Sequence, residues 1–246
     1  MPPAQSRVRP WLHGHRGASG EAPENTLAAF ELALRQGADG IELDVHASAD
    51  GVPMVIHDPD LSRTTDRHGL VATLTATEIR GADAGARFIG AVTGPTHVPS
   101  LDEVLALLPT GRGLVIDVKD VRAVRPVVRL LNMRADAVAA VRLISFLPEA
   151  IALARQLAPW LYTGLLLDEN EPIDPGIELA AAGGHQAVVP FAPDLGQAEA
   201  AVAIVEAARG RGLDVGTWVV NDRDRAAALR AAGVSFLMSD VPARLL

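Results

Sequence analysis

Gly40-Ile41-Glu42-Leu43-Asp44-Val45-His46 alternates apolar and polar residues with period two. That is the pattern of a β-strand with two unlike faces. Ile41, Leu43 and Val45 point one way; Glu42, Asp44 and, by parity, His46 point the other. A helix-like segment precedes this stretch, and the chain repeatedly alternates strand and helix. Strands in such chains are buried on both faces, so inward carboxylates need a partner. Two carboxylates ~4 Å apart repel by about 4 kcal/mol at an effective dielectric of about 20. A divalent cation removes that penalty, and hard cations prefer oxygen ligands.

Upstream, residues 11–15 read as a short strand ending in the glycine-rich loop Arg16-Gly17-Ala18-Ser19-Gly20. Pro23-Glu24-Asn25-Thr26 opens a helix predicted to run through Gln36, with Leu27, Phe30 and Leu34 at helical spacing and Gly37 as its stop. Downstream, Asp50-Gly51 is a hairpin turn signal, and residues 53–57 return as a second short strand. Residues 58–99 are rich in turn and polar residues and carry no long periodic element. At about 40 residues the segment is too long for an ordinary loop, and it reads as a functional insertion within one domain spanning residues 1–246. Ser100-Leu101-Asp102-Glu103 looks like a capped helix start, running to Leu108. Strands are predicted at 113–119, 140–146, 162–167, 186–191, 214–221 and 235–240, separated by alanine-rich helices.

That gives eight strands in strand–helix alternation over 246 residues. About 250 residues is the usual size of a (β/α)₈ TIM barrel, which is the fold expected; an open doubly wound sheet is the alternative. The polar and aromatic residues favour the barrel. They collect at the C-terminal ends of strands: His15, Glu42, Asp44, Asp117, Lys119, Ser145, Asp168, Trp218, Asn221 and Asp240. Barrel active sites lie at that end.

Composition narrows the function. Hydrophobic residues make up 49%, ample for a large core, while aromatics at 4% leave that core to Ala, Val, Leu and Ile. The net charge of −8 argues against a nucleic-acid binder, because no basic stripe is present to meet phosphates. With no cysteine there is no disulfide, thiolate metal site or Cys nucleophile. Residues 1–10 read as a loose arm with no following apolar run of signal-peptide length, and no segment reaches the length of a transmembrane helix. The expectation is a cytoplasmic protein without stable membrane insertion. G-x-x-x-x-G-K-[ST], G-x-G-x-x-G after a strand, and Gly-x-Ser-x-Gly are all absent.

Asp117 and Lys119 repeat the pattern of the opening strand and share one face by period two. Alone they could be a structural ion pair at the rim. Beside Glu42 and Asp44, Asp117 reads as a third metal ligand. His15 and His57 both end strands, and histidine is the natural proton carrier near neutral pH. Of the other histidines, His13 sits deeper in its strand, His46 belongs either to the inward face or to the following turn, and His68, His97 and His185 lie in loops. Asn221-Asp222 reads as a helix cap, and Trp218 as a residue that lines a pocket or fills the barrel mouth.

Taken together, His15-Arg16-Gly17, Pro23-Glu24-Asn25-Thr26, residues 41–45, Asp50-Gly51, His57-Asp58 and Arg63-Thr64-Thr65, in that order and spacing, resemble the glycerophosphodiester phosphodiesterase family. The resemblance continues through Pro99-Ser100-Leu101, residues 116–119, Ser145-Phe146, residues 218–221 and Ser239-Asp240-Val241-Pro242, and so covers essentially the whole chain. It implies a TIM-barrel phosphodiesterase of lipid and glycerol metabolism whose insertion after the second strand is residues 58–99. It implies a divalent cation, Ca²⁺ or Mg²⁺, held by Glu42, Asp44 and Asp117. It places the catalytic histidines at His15 and His57 and the phosphate-contacting cations at Arg16 and Lys119; Trp218 joins these as a substrate-binding candidate. The implied substrate is a small glycerophosphodiester, attacked by its own glycerol hydroxyl to give a cyclic phosphate that water opens. This chain departs from the family's usual pattern with Asp at 117 instead of Glu, Ser at 239 instead of Thr, and Ala47-Ser48-Ala49 before Asp50-Gly51. The alternatives are a lysophospholipase D-type lipid phosphodiesterase and a non-catalytic barrel that binds phosphate esters.

Overall fold

The computed structural model describes residues 11–134 and 141–246. The arm expected over residues 1–10, and Ala140 at the start of one predicted strand, lie outside the described residues.

Eight parallel strands form a closed barrel: β1 (Trp11–Gly14), β2 (Gly40–Ala47), β4 (Gly113–Val118), β5 (Val141–Ser145), β6 (Tyr162–Leu166), β7 (Ala187–Val189), β8 (Asp214–Thr217) and β9 (Phe236–Ser239). Each pairs with the next in parallel, and β1 closes the ring by pairing with both β2 and β9. The short β3 (Pro53–Val55) adds antiparallel to β2 through the Asp50-Gly51 turn. Helices α1 (Leu27–Arg35), α2 (Ala76–Arg80), α3 (Leu101–Leu107), α4 (Val121–Met133), α5 (Pro148–Leu157), α6 (Ile173–Ala182), α7 (Ala198–Gly210) and α8 (Arg223–Ala232) complete the chain. The fold is the (β/α)₈ TIM barrel that the alternation predicted. Among the described residues no helix is long and apolar enough to cross a membrane.

Period two decides which side chain goes where. Ile41, Leu43 and Val45 of β2, with Leu114, Ile116 and Val118 of β4, join the large apolar layer between strands and helices. The alternate residues point into the barrel. There Val115, Ile144, Leu166, Val189, Phe236 and Met238 pack together, with Trp11, Tyr162, Phe146 and Trp218 against them. Most of the few aromatic residues are therefore spent inside the barrel, where large side chains fill a round cross-section. Arg142 sits low in this interior, its guanidinium about 5.0 to 5.5 Å from the Phe236, Tyr162 and Trp11 rings. His13, deeper in β1 as its position predicted, stacks on Trp11 with ring centroids 6.0 Å apart.

Helix starts follow the capping signals. Thr26 accepts from Ala29 N at the head of α1, and Ser100 and Glu103 form a reciprocal capping box on α3. β7 and β8 are shorter than predicted. Pro190 has no amide hydrogen, so the ladder stops at Val189. Thr217 then donates its hydroxyl to the Pro190 carbonyl at 2.8 Å, and only a single bridge joins Phe191 to Trp218 beyond it. Residues 58–99 hold only a 3₁₀ turn and α2 as regular elements, yet they are packed. Leu61, Val71, Ile79, Ala82, Ala84 and Val98 bury with Met54 and Ile56 in a cluster of their own.

Gly40 and Gly113 are paired where β2 and β4 begin, and the backbones meet closely there. A Cβ on Gly40 would lie 2.2 Å from the Gly113 carbonyl oxygen. Gly40→Ala is expected to lower the unfolding free energy by about 1–3 kcal/mol, read as a reduced urea midpoint with unchanged slope. An unchanged midpoint would contradict this strand register.

Candidate functional site

The C-terminal ends of the barrel strands surround a cavity of about 250 Å³. His15, Arg16, Glu42, Asp44, His57, Asp117, Lys119 and Trp218 all line it. These are the eight candidates read from the sequence, brought together from five places in the chain. Ile144, Phe146, Leu166 and Met238 supply an apolar wall, and Asp168 lies at its edge.

Glu42 and Asp44 reach the cavity from β2, and Asp117 from β4, where it is the register partner of Asp44. Each of the three offers an oxygen, and these lie within 4.8 Å of one another. All three residues are buried. Asp117 Oδ1 is buried with no hydrogen-bond partner. A set of three carboxylates, one with an unsatisfied buried oxygen, suits a hard divalent cation.

Two basic residues answer part of this charge. Lys119 Nζ lies 2.6 Å from Asp117 Oδ2 and 3.2 Å from Asp44 Oδ1. Arg16 Nε lies 3.2 Å from Asp44 Oδ2, and its NH1 donates to Glu24 Oε1 at 3.0 Å. Arg16 has φ +54°, in the left-handed region that costs a non-glycine residue about 1–2 kcal/mol. In that conformation its backbone N–H donates to Glu42 Oε2 at 2.8 Å. Gly17 continues the turn with φ +85°, and a Cβ there would strike the Ala29 backbone at 2.5 Å. Asn25, also left-handed, donates to Asp44 Oδ2 at 2.8 Å and accepts from the Asp44 amide at 3.3 Å.

These contacts split the three carboxyls. Burial opposes ionisation of Asp44, but Lys119 and Arg16 outweigh it and hold its pKa well below the usual range. Burial, with the Asp44 charge added, pushes Glu42 up to about 7. Asp117 rises to about 6, chiefly through burial, with Lys119 opposing and Asp44 reinforcing.

Each histidine is held through Nδ1 by a carboxylate, which leaves Nε2 for the cavity. His15 Nδ1 is 2.7 Å from Asp240 Oδ1, and His57 Nδ1 is 2.7 Å from Asp58 Oδ1. Burial lowers the His15 pKa, but the Asp240 hydrogen bond and the Glu42 charge prevail, and the net shift is upward. His57 moves downward, through burial and the nearby Arg16 and Lys119 charges.

Several residues at the site were given no site role by sequence reasoning. Asp240 is held by Ser19 Oγ at 2.9 Å and by Asn221 Nδ2 at 2.7 Å. Asp222, not Asn221, caps the following helix by accepting from Arg225 N. Glu24 and Asn25 read as a helix opening and as part of a family motif but were given no role at the site, yet both touch site residues. Asp58 had a usable signal in its adjacency to His57. Ser145, in contrast, turns away from the cavity and donates to the Val118 carbonyl at 2.5 Å. His46 donates from Nε2 to the His57 carbonyl at 2.9 Å and does not line this cavity.

The chain is 32% identical over 239 residues to the glycerophosphodiester phosphodiesterase of Caldanaerobacter subterraneus subsp. tengcongensis, covering 94% of each protein. The crystal structure of glycerophosphodiester phosphodiesterase from Agrobacterium tumefaciens superposes with a TM-score of 0.81 at 31% identity, covering 96% of this chain and 98% of that one. A phosphodiesterase from Oleispira antarctica, in complex with its product sn-glycerol-3-phosphate, gives a TM-score of 0.79 at 25% identity over 96% of this chain and 95% of that one. The profile of the glycerophosphoryl diester phosphodiesterase family matches residues 15–244, and the chain belongs to that family.

A dication entering the carboxylate cluster must displace the protons that Glu42 and Asp117 hold near pH 6 to 7. Both groups have raised pKa values, so below that range protons compete with the ion and above it they do not. The rise in Tm on adding excess Ca²⁺ or Mg²⁺ to metal-stripped protein is therefore expected to be larger at pH 8 than at pH 5.5. An equal rise at both values would argue against these ligands.

Proposed function

We propose that this enzyme hydrolyses small glycerophosphodiesters, such as glycerophosphocholine or glycerophosphoethanolamine, to glycerol 3-phosphate and the free alcohol in a metal-dependent reaction. The observation that carries this reading is the pair of histidines, His15 and His57, each fixed through Nδ1 and both facing one cavity that also holds Arg16, Lys119 and the three carboxylates. A cavity of about 250 Å³ suits a water-soluble diester of this size. We assign Glu42, Asp44 and Asp117 as the metal ligands, with Ca²⁺ or Mg²⁺ as the ion. When bound, a dication supplies positive charge against the phosphoryl oxygens.

The protein's own groups do the rest. Arg16 and Lys119 stand where they neutralise the phosphodiester and the charge that grows on it in the transition state. One histidine takes the proton from the attacking glycerol 2-hydroxyl while the other gives a proton to the leaving alcohol oxygen. The phosphorus–oxygen bond to the alcohol breaks as the bond to the glycerol oxygen forms, leaving a cyclic phosphate. In the second half the two histidines exchange roles, and water opens the ring to glycerol 3-phosphate. Asp240 and Asp58 keep each ring turned with Nε2 toward the reacting oxygens. Trp218, with Phe146 edge-on at 5.5 Å, walls the side of the cavity that receives the substrate.

The decisive assay is glycerol 3-phosphate release from glycerophosphocholine by metal-stripped protein, with and without restored Ca²⁺, Mg²⁺ or Mn²⁺. Release only with metal is expected; release that ignores metal would sink the ligand assignment. His15→Ala and His57→Ala should each lower kcat by about 10²–10⁴. Turnover near wild type in either would remove that histidine from the mechanism.

A further inference from the structure

The two histidines are not held equally. Asp240, the partner of His15, is itself fixed by two neutral donors, Ser19 and Asn221. Asp58, the partner of His57, has one other side-chain partner among the described residues, and that is Arg63. His57 is also the more open of the two rings, its side chain 32% exposed against 12% for His15. A histidine at the rim, paired only with its own sequence neighbour, would lack a fixed direction.

Arg63 supplies one. Its Nε donates to Asp58 Oδ2 at 2.5 Å and its NH2 to Asp58 Oδ1 at 3.2 Å. The same guanidinium donates to Glu24, NH1 to Oε2 at 2.9 Å and NH2 to Oε1 at 2.7 Å. Glu24 Oε1 is also the oxygen that receives Arg16 NH1. One planar fork thus joins two carboxylates carried by separate segments: Asp58 from the insertion, and Glu24 from the loop between β1 and α1. Arg63 is 45% exposed, so its ion pairs add little to stability. Four directional hydrogen bonds from one rigid group are instead a positioning device.

We propose that Arg63 is a positioning residue for catalysis, setting the His57 ring through Asp58 and the Arg16 guanidinium through Glu24. This rests on the acid–base role given to His57 above. The insertion thereby contributes to the chemistry, because it carries the group that aligns His57 with Arg16. Lysine replaces it only in part, because a single ammonium does not present two parallel pairs of donors to two carboxylates.

The experiment is a mutant cycle with glycerophosphocholine and saturating metal. Arg63→Gln is expected to lower kcat about 10–100-fold while KM moves less than about threefold. Arg63→Lys should fall between wild type and Arg63→Gln. Asp58→Ala should lower kcat in the same range, and adding Arg63→Gln to it should cost clearly less than Arg63→Gln costs alone, because the route to His57 is already cut and only the route to Arg16 through Glu24 remains to be lost. Thermal melts of each variant check that the fold is kept, and if Arg63→Gln fails to fold, the cycle is run with Arg63→Lys. Wild-type kcat in Arg63→Gln would overturn the proposal, and so would losses that multiply in the double variant. His57→Ala is assayed alongside: if it is inactive while the cycle multiplies, only the Arg63 proposal fails; if it turns over normally, the acid–base reading fails with it.

Discussion

Three carboxyl groups sit within 4.8 Å of one another inside a barrel, away from water. Such a cluster is self-repelling, and the rest of the site is arranged as the answer to it. Lys119 and Arg16 each lean on Asp44, Asn25 adds a donor, and burial, with the Asp44 charge added, leaves Glu42 and Asp117 with raised pKa values. A packed apolar centre would have been simpler to fold. Retaining an under-neutralised cluster leaves a place where positive charge, from an ion, gains more than it would on an ordinary surface. The left-handed backbone at Arg16 belongs to the same arrangement, since it lets one residue serve Glu42 with its amide and Asp44 with its side chain.

Most of this was legible in the sequence because strand geometry is so regular. Period-two spacing put Glu42 and Asp44 on one face and Ile41, Leu43 and Val45 on the other, and the structure keeps that division. The same rule placed Asp117 and Lys119. Turn and cap residues fixed the helix starts at Thr26 and Ser100. What could not be read were contacts between residues far apart in the chain. Asp240 meets His15 across 225 positions, and Glu24 meets Arg63 across 39. No local pattern encodes such a pairing; it exists only once the ring of strands has closed. The early ends of β7 and β8 had a local cause in Pro190, which the apolar run around it obscured.

The insertion shows the same limit from another side. Its residues lack a long period, so pattern reading finds no extended element there. Its order comes instead from a small apolar cluster around Leu61, Val71 and Ile79, backed by Met54 and Ile56 of the preceding hairpin. Scattered apolar positions brought together by turns are enough to hold a loop that bears on the cavity.

The barrel closes between its first and last strands, and His15 follows β1 while Asp240 follows β9. The two halves of that pair are therefore 225 positions apart in the chain, and Asp240 is made well after His15. While the chain is being translated, β1 can pair with β2 but its other edge stays open until the final strand arrives. His15 lacks its Asp240 partner during that interval. His15 gains its Asp240 partner in the same event that seals the ring, so a chain still short of β9 carries the histidine without the contact that orients it.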